Sequence, residues 1–171
     1  MITGNMITGI TTGIGGVGVL VEGTFTMNGG RIYDNHIDTD AWSGGGGVFV
    51  DTGATFEMID GEISNNTVAN QGGGVFVDAG GTFTMRNGVI SYNSSQGAGG
   101  VSTLGIFYMY GGRIFGHTIR NSGGVGVNSW AGAYGTFAMY RQSPFFLDLY
   151  PKTITYPEPS QAVSDYFLTF S

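Results

Sequence analysis

Apolar residues in this chain fall at alternate positions within short segments, and glycine or polar residues separate the segments. Alternation of period two sends successive side chains to opposite faces, so it predicts β-strands rather than helices. Three such segments recur in a constant order. The first is Gly-Gly-Val-x-Val, read at Val17/Val19, Val48/Val50, Val75/Val77, Val101/Thr103 and Val125/Val127. Its flanking positions face inward, and the middle ones (Gly18, Phe49, Phe76, Ser102, Gly126) face outward. The second is Phe-x-Met, at Phe25/Met27, Phe56/Met58, Phe83/Met85, Phe107/Met109 and Phe137/Met139. The third carries one inward Ile (Ile2, Ile32, Ile63, Ile90, Ile114), followed three residues on by Asn and, in the last case, by His117.

This recurrence is an internal repeat whose motif survives while its spacing changes. Gly46-Gly47-Val48-Phe49-Val50-Asp51 returns 27 residues later as Gly73-Gly74-Val75-Phe76-Val77-Asp78. Phe25 precedes its counterpart by 31 residues, Phe107 follows its own by 24 and Phe137 by 30. Ile2-Thr3-Gly4-Asn5 matches the end of a unit, so the chain is expected to open partway through a coil and to be a fragment of a longer solenoid.

Hairpins cannot set identical residues beside one another in every unit, whereas coils stacked along an axis do so automatically. The expected fold is therefore all-β: a right-handed single-stranded parallel β-helix, or solenoid, of about five coils of three short strands. It spans residues 1–140, leaving 141–171 as a non-repeat C-terminal segment that serves as cap, linker or tail and holds all four prolines. Asn5, Asn35, Asn66, Asn93 and His117 then stack at one corner as a structural ladder, each amide bonding the next coil. The Gly-Gly pairs turn another corner, where a Cβ would clash.

Composition narrows the function. Charged residues are 11% of the chain where about 25% is usual, and 33 of the 171 residues are glycine, which fits turns and strands. A net charge of −6 repels phosphate backbones, so no nucleic-acid partner is expected. Cysteine is absent, which removes disulfides, thiolate metal sites and Cys nucleophiles. No segment has the basic stretch and apolar run of a secretory leader, or the apolar length to span a bilayer, so direct membrane insertion of this segment is not expected.

Gly-Gly-Val-Phe-Val, Gly23-Thr24-Phe25-Thr26-Met27-Asn28-Gly29-Gly30 and Ile63-Ser64-Asn65-Asn66-Thr67 resemble the Gly-rich right-handed β-helix repeats of bacterial surface proteins, including adhesin-like and polymorphic outer-membrane passengers. The resemblance runs over residues 1 to about 140. It implies a secreted or cell-surface location and display as a stalk or adhesin, with glycans or host and cell-surface molecules as partners. It assigns no residue a role.

Carbohydrate-active enzymes share this fold, so catalytic groups must be sought individually. Asp51 and Asp78 fall on adjacent coils, too close for an inverting pair. As a Ca²⁺ site they lack further ligands, since the equivalent places read as Leu20, Leu104 and Asn128. Asp34, Asp38 and Asp40 surround one corner, and Arg31 and Arg113 form a face interrupted by Glu62 and Val89. His36, read as part of an inserted loop, and His117 do not make a metal centre. Gly13-Ile14-Gly15-Gly16-Val17-Gly18 reads as a corner, because no helix follows to hold a phosphate. The threonines Thr24/Thr26, Thr55 and Thr82/Thr84 suggest a flat array of the ice-binding kind, but Glu57, Ile106/Tyr108 and Ala138 break it. No catalytic, cofactor or metal site is therefore expected. A polysaccharide-acting enzyme or its remnant is the alternative to a non-enzymatic scaffold. Ligand contact is assigned to the two insertions, residues 36–45 and 128–135, through Trp42, Trp130 and Tyr134, whose rings can stack on sugars.

Overall fold

A computed structural model describes residues 1–8, 14–38, 43–120, 126–129, 136–139 and 146–147. Every regular element among them is a β-strand, and every strand pairing is parallel. Hydrogen-bonded neighbours lie one coil apart in sequence, which makes the molecule a β-solenoid. It winds through about four turns rather than five, because the described coils at either end are partial.

Three ladders carry the core. The first strands are Val19–Val21, Val48–Val50, Val75–Val77, Val101–Thr103 and Val127–Ser129. The second and third strands run together as Thr24–Tyr33 and Thr55–Ser64 in two coils and separate as Thr82–Met85 and Val89–Ser91, then Ile106–Met109 and Arg113–Phe115, in the next two. Phe25, Phe56, Phe83 and Phe107 align strand to strand, as do the methionines and isoleucines. Their rings stack with centroids 5.3, 4.7 and 4.7 Å apart, close to the natural separation of neighbouring strands. One continuous apolar core results, filled by Val, Phe, Met and Ile.

The variable spacing has a local cause. Five residues always lead from the Met to the Ile and three from the Ile to the Asn, so those stretches stay in register. Length changes enter at the corner after the first strand, with two residues after Val21 and Thr103 and four after Val50 and Val77, and in the stretch after the Asn.

Register in the first ladder differs from the sequence reading at both ends. Val48 and Val50 align with Val19 and Val21, not with Val17 and Val19, and Val101 aligns with Val127, not Val125. The valines alternate over five or three residues there, so the pattern permits a slip of two. Glycine removes the ambiguity. A Cβ on Gly47 would lie 2.7 Å from the Gly74 carbonyl oxygen, 2.7 Å from Ile63 Cγ2 and 3.0 Å from Asn66 Nδ2. Gly18 occupies the same place one coil earlier, so the first strand must start immediately after it. Gly47→Ala is expected to cost about 1–3 kcal/mol, read as a lower urea midpoint at unchanged slope.

The middle residues of the first strand point away from the main core, yet Phe49 and Phe76 are 7% and 1% exposed and stack on each other. What covers them is a further layer that alternation alone did not reveal. Two extra ladders follow the Asn corner. One joins Met6–Thr8, His36–Asp38 and Thr67, with Ser94–Ser95 and Thr118–Ile119 continuing it. The other joins Ile14–Gly15, Ser43–Gly44 and Gln71. Gly15 abuts the Phe49 ring and Gly44 the Phe76 ring, leaving no room for a side chain between the layers. Thus both ends of the expected 36–45 insertion are strands rather than loop, His36 included. Val17, Ile37 and Val68 form a small second core beneath them.

Beyond residue 140, Phe146–Leu147 pairs with Arg113 and Ile114, so the third ladder reaches into the segment read as non-repeat. The remainder of 141–171 lies outside the described residues.

Candidate functional site

The asparagine column is the most regular polar feature, and it is a structural one. Asn35, Asn66 and Asn93 are fully buried. Asn66 Oδ1 accepts the Asn35 backbone N–H at 3.1 Å and its Nδ2 at 2.9 Å, while Asn66 Nδ2 donates backward to the Ile32 carbonyl at 3.0 Å and forward to Asn93 Oδ1 at 3.0 Å. Asn5 starts the column by donating to Asn35 Oδ1, and His117 ends it by accepting the Asn93 N–H on Nδ1 at 3.1 Å. An accepting Nδ1 places the proton of the neutral ring on Nε2. Each amide thereby satisfies the corner of two coils, which accounts for its place in a buried position.

Asp51 and Asp78 sit one coil apart at the corner after the first strand, as the repeat implies. Their neighbours differ from the sequence reading, because the corrected register puts Glu22 rather than Leu20 in the preceding coil, with Leu104 in the following one. Asp51 Oδ1 accepts the Thr52 N–H and Asp78 Oδ1 the Ala79 N–H, both at 2.7 Å. Each Asp carbonyl also accepts the N–H three residues on, closing a tight turn. These oxygens brace turns. Asp51→Asn, which keeps the accepting oxygen, is expected to leave the melting midpoint nearly unchanged, whereas Asp51→Ala costs about 0.5–1.5 kcal/mol. Equal losses in the two variants would contradict the turn role.

The described residues hold no group of three His, Cys, Asp or Glu side chains placed to bind a metal ion. The Thr rows occupy the expected register, with Glu57 and Tyr108 interrupting them. Trp42, Trp130 and Tyr134 lie outside the described residues, as does Asp40.

A different surface gathers chemistry. On the outer side of the third ladder Arg31, Glu62, Val89 and Arg113 follow one another coil by coil. Arg31 pairs with Glu62 at 2.9 Å and lies 4.5 Å from the centre of the Tyr33 ring. Arg86 pairs with Glu57 and lies 5.5 Å from the Tyr110 ring. Arg113 lies 4.8 Å from the Phe115 ring, and among the described residues no carboxylate pairs with it. Tyr92 meets the same Phe115 ring edge-on, at 5.5 Å and 79°.

The backbone under Tyr92 is unusual. The residue before each ladder Asn or His adopts positive φ: Gly4 at 70°, Asp34 at 55°, Asn65 at 54°, Tyr92 at 53° and Gly116 at 69°. Four of these are residue types that tolerate the left-handed region, and a bulky tyrosine is not. Tyr92 is also 59% exposed. Sequence reasoning passed over Tyr92 and Phe115, although aligning the residues that precede the ladder would have singled out Tyr92 as the odd member.

Parallel ladders one coil apart and a shared amide column define this chain as a β-solenoid repeat protein. Beyond that class, no protein-family model, no curated protein and no solved structure matches it.

Proposed function

We propose that this chain is a non-enzymatic, extracellular or cell-surface solenoid segment that acts as an adhesin-like stalk, holding outward side chains and loops at fixed spacing for contact with glycans or host and cell-surface molecules. One observation carries the reading. The buried polar column spends its hydrogen bonds within the stack, while the outward rows change from coil to coil, so the repeat specifies a rigid support and leaves its surface free to vary. The resemblance of the repeat to Gly-rich surface β-helices supports the same location.

The purified chain is tested on immobilised glycans and on host-surface extracts, in parallel with a reducing-end assay on polysaccharides. Saturable binding without cleavage is the expected result. Cleavage that disappears in an Asp51→Asn/Asp78→Asn double variant would instead establish the polysaccharide-acting alternative, for which the adjacent carboxylates are the motivating feature.

A further inference from the structure

We infer that Tyr92 and Arg113 form a binding site for a carboxylate-bearing saccharide, a choice of ligand that deepens the display reading above and rests on it. The argument starts from the outlier. A tyrosine held at φ 53° carries a backbone penalty that Gly, Asn or Asp would avoid at this corner, and the other four coils do avoid it. Burial does not offset the penalty, since the residue is 59% exposed. What the conformation achieves is orientation. The left-handed turn lays the ring across Gly116, where an added Cβ would come within 2.6 Å of Tyr92 Cε1, and sets it edge-on against Phe115. The ring is thus braced from two sides and still presents an open face, the arrangement a stacking platform for a sugar requires.

Charge selects the kind of sugar. Arg31 and Arg86 also lie over aromatic rings, but each is neutralised by a glutamate within its reach, Glu62 and Glu57. Arg113 repeats the geometry with no carboxylate paired to it among the described residues: its guanidinium lies over Phe115, Val89 stands opposite it where Arg31 has Glu62, and Phe146 takes the place in the following coil. A planar fork held on an aromatic ring with free N–H donors fits a carboxylate with two parallel hydrogen bonds. Tyr92 and Arg113 contact the same Phe115 ring, so a short oligosaccharide spans both, stacking on the one and placing its carboxylate on the other. The surrounding protein carries a net charge of −6, so attraction of an acidic ligand is confined to this spot rather than spread over the surface.

The test uses the whole chain with two tetrasaccharides, a hyaluronan fragment that carries uronate groups and chitotetraose, which shares its N-acetylated sugar and has no charge. Titration calorimetry or chemical-shift mapping is expected to give saturable binding of the hyaluronan fragment, with affinity for chitotetraose at least about tenfold weaker. Arg113→Gln is expected to abolish the preference for the charged ligand, and Tyr92→Asn to weaken both ligands about tenfold. Asn suits the left-handed corner, so the Tyr92→Asn variant should melt at or above the parent temperature and its loss of binding cannot be ascribed to unfolding. Absence of saturable binding, equal affinity for both ligands, or unchanged affinity in both variants would overturn this site. The display reading would survive those results if the chain still bound immobilised glycans, and would fall with the appearance of polysaccharide cleavage.

Discussion

Phe83→Ala is expected to lower the unfolding free energy by about 3–5 kcal/mol, among the largest losses any single apolar truncation in this chain would produce. Phe83 is fully buried, and its ring lies between Phe56 and Phe107, 4.7 Å from each and nearly parallel to both. Truncation therefore opens a cavity bounded above and below by aromatic faces whose own neighbours are held by parallel strands and cannot close in. The substitution also interrupts the column at its middle. In a solenoid each coil is stabilised chiefly by its two neighbours, so a weakened central interface should broaden the urea transition or split it in two. Phe25→Ala is the control, since among the described residues Phe25 stacks on one side only, against Phe56, and it is half-buried. A loss at Phe83 no larger than at Phe25 would contradict the stacked-core account.

Asn66→Asp is expected to be as damaging as Asn66→Ala at neutral pH, at about 3 kcal/mol or more, although it is nearly isosteric. The amide nitrogen of Asn66 donates to the Ile32 carbonyl and to Asn93 Oδ1, and replacing it with a carboxylate oxygen sets three acceptors against one another in a fully buried site. The charge would be stranded there, so the folded state should raise the carboxyl pKa of the variant above its unfolded value of about 3.9. The sign follows directly. A raised folded pKa penalises the folded state above the unfolded value and not below it, so the deficit relative to the parent should shrink as pH falls towards about 4. The alanine variant has no such group, and its deficit should stay flat over the same range. Denaturant midpoints measured between neutral and acid pH separate the two, and parallel pH profiles would show that the Asn66 amide does not bridge the coils.

Much of this architecture was legible in the chain because a solenoid converts repetition in sequence into adjacency in space. Phe56 and Phe83, Ile63 and Ile90, and Asn66 and Asn93 recur at one offset, and stacking then leaves them no neighbours but each other. The column of amides followed from the same logic, His117 included. Where the pattern was itself periodic it misled: Val17, Val19 and Val21 all satisfy alternation, and only the contact of Gly18 with the amide column decides which two line the core.

The sequence by itself thus determined the inward Phe, Met, Ile and Asn rows, since their identity depends only on which residue returns in the next coil. Tertiary structure decided what lies outside them. Phe49 and Phe76 are buried because the Gly15 and Gly44 strands close over them, and the Arg113 guanidinium lies over the Phe115 ring, with no carboxylate paired to it among the described residues. Tyr92 is held in a left-handed turn because the corner geometry is imposed by the coils on either side. Such outward relations depend on the path each coil takes at its corners and after the Asn, where the length varies and which the spacing of apolar residues does not encode.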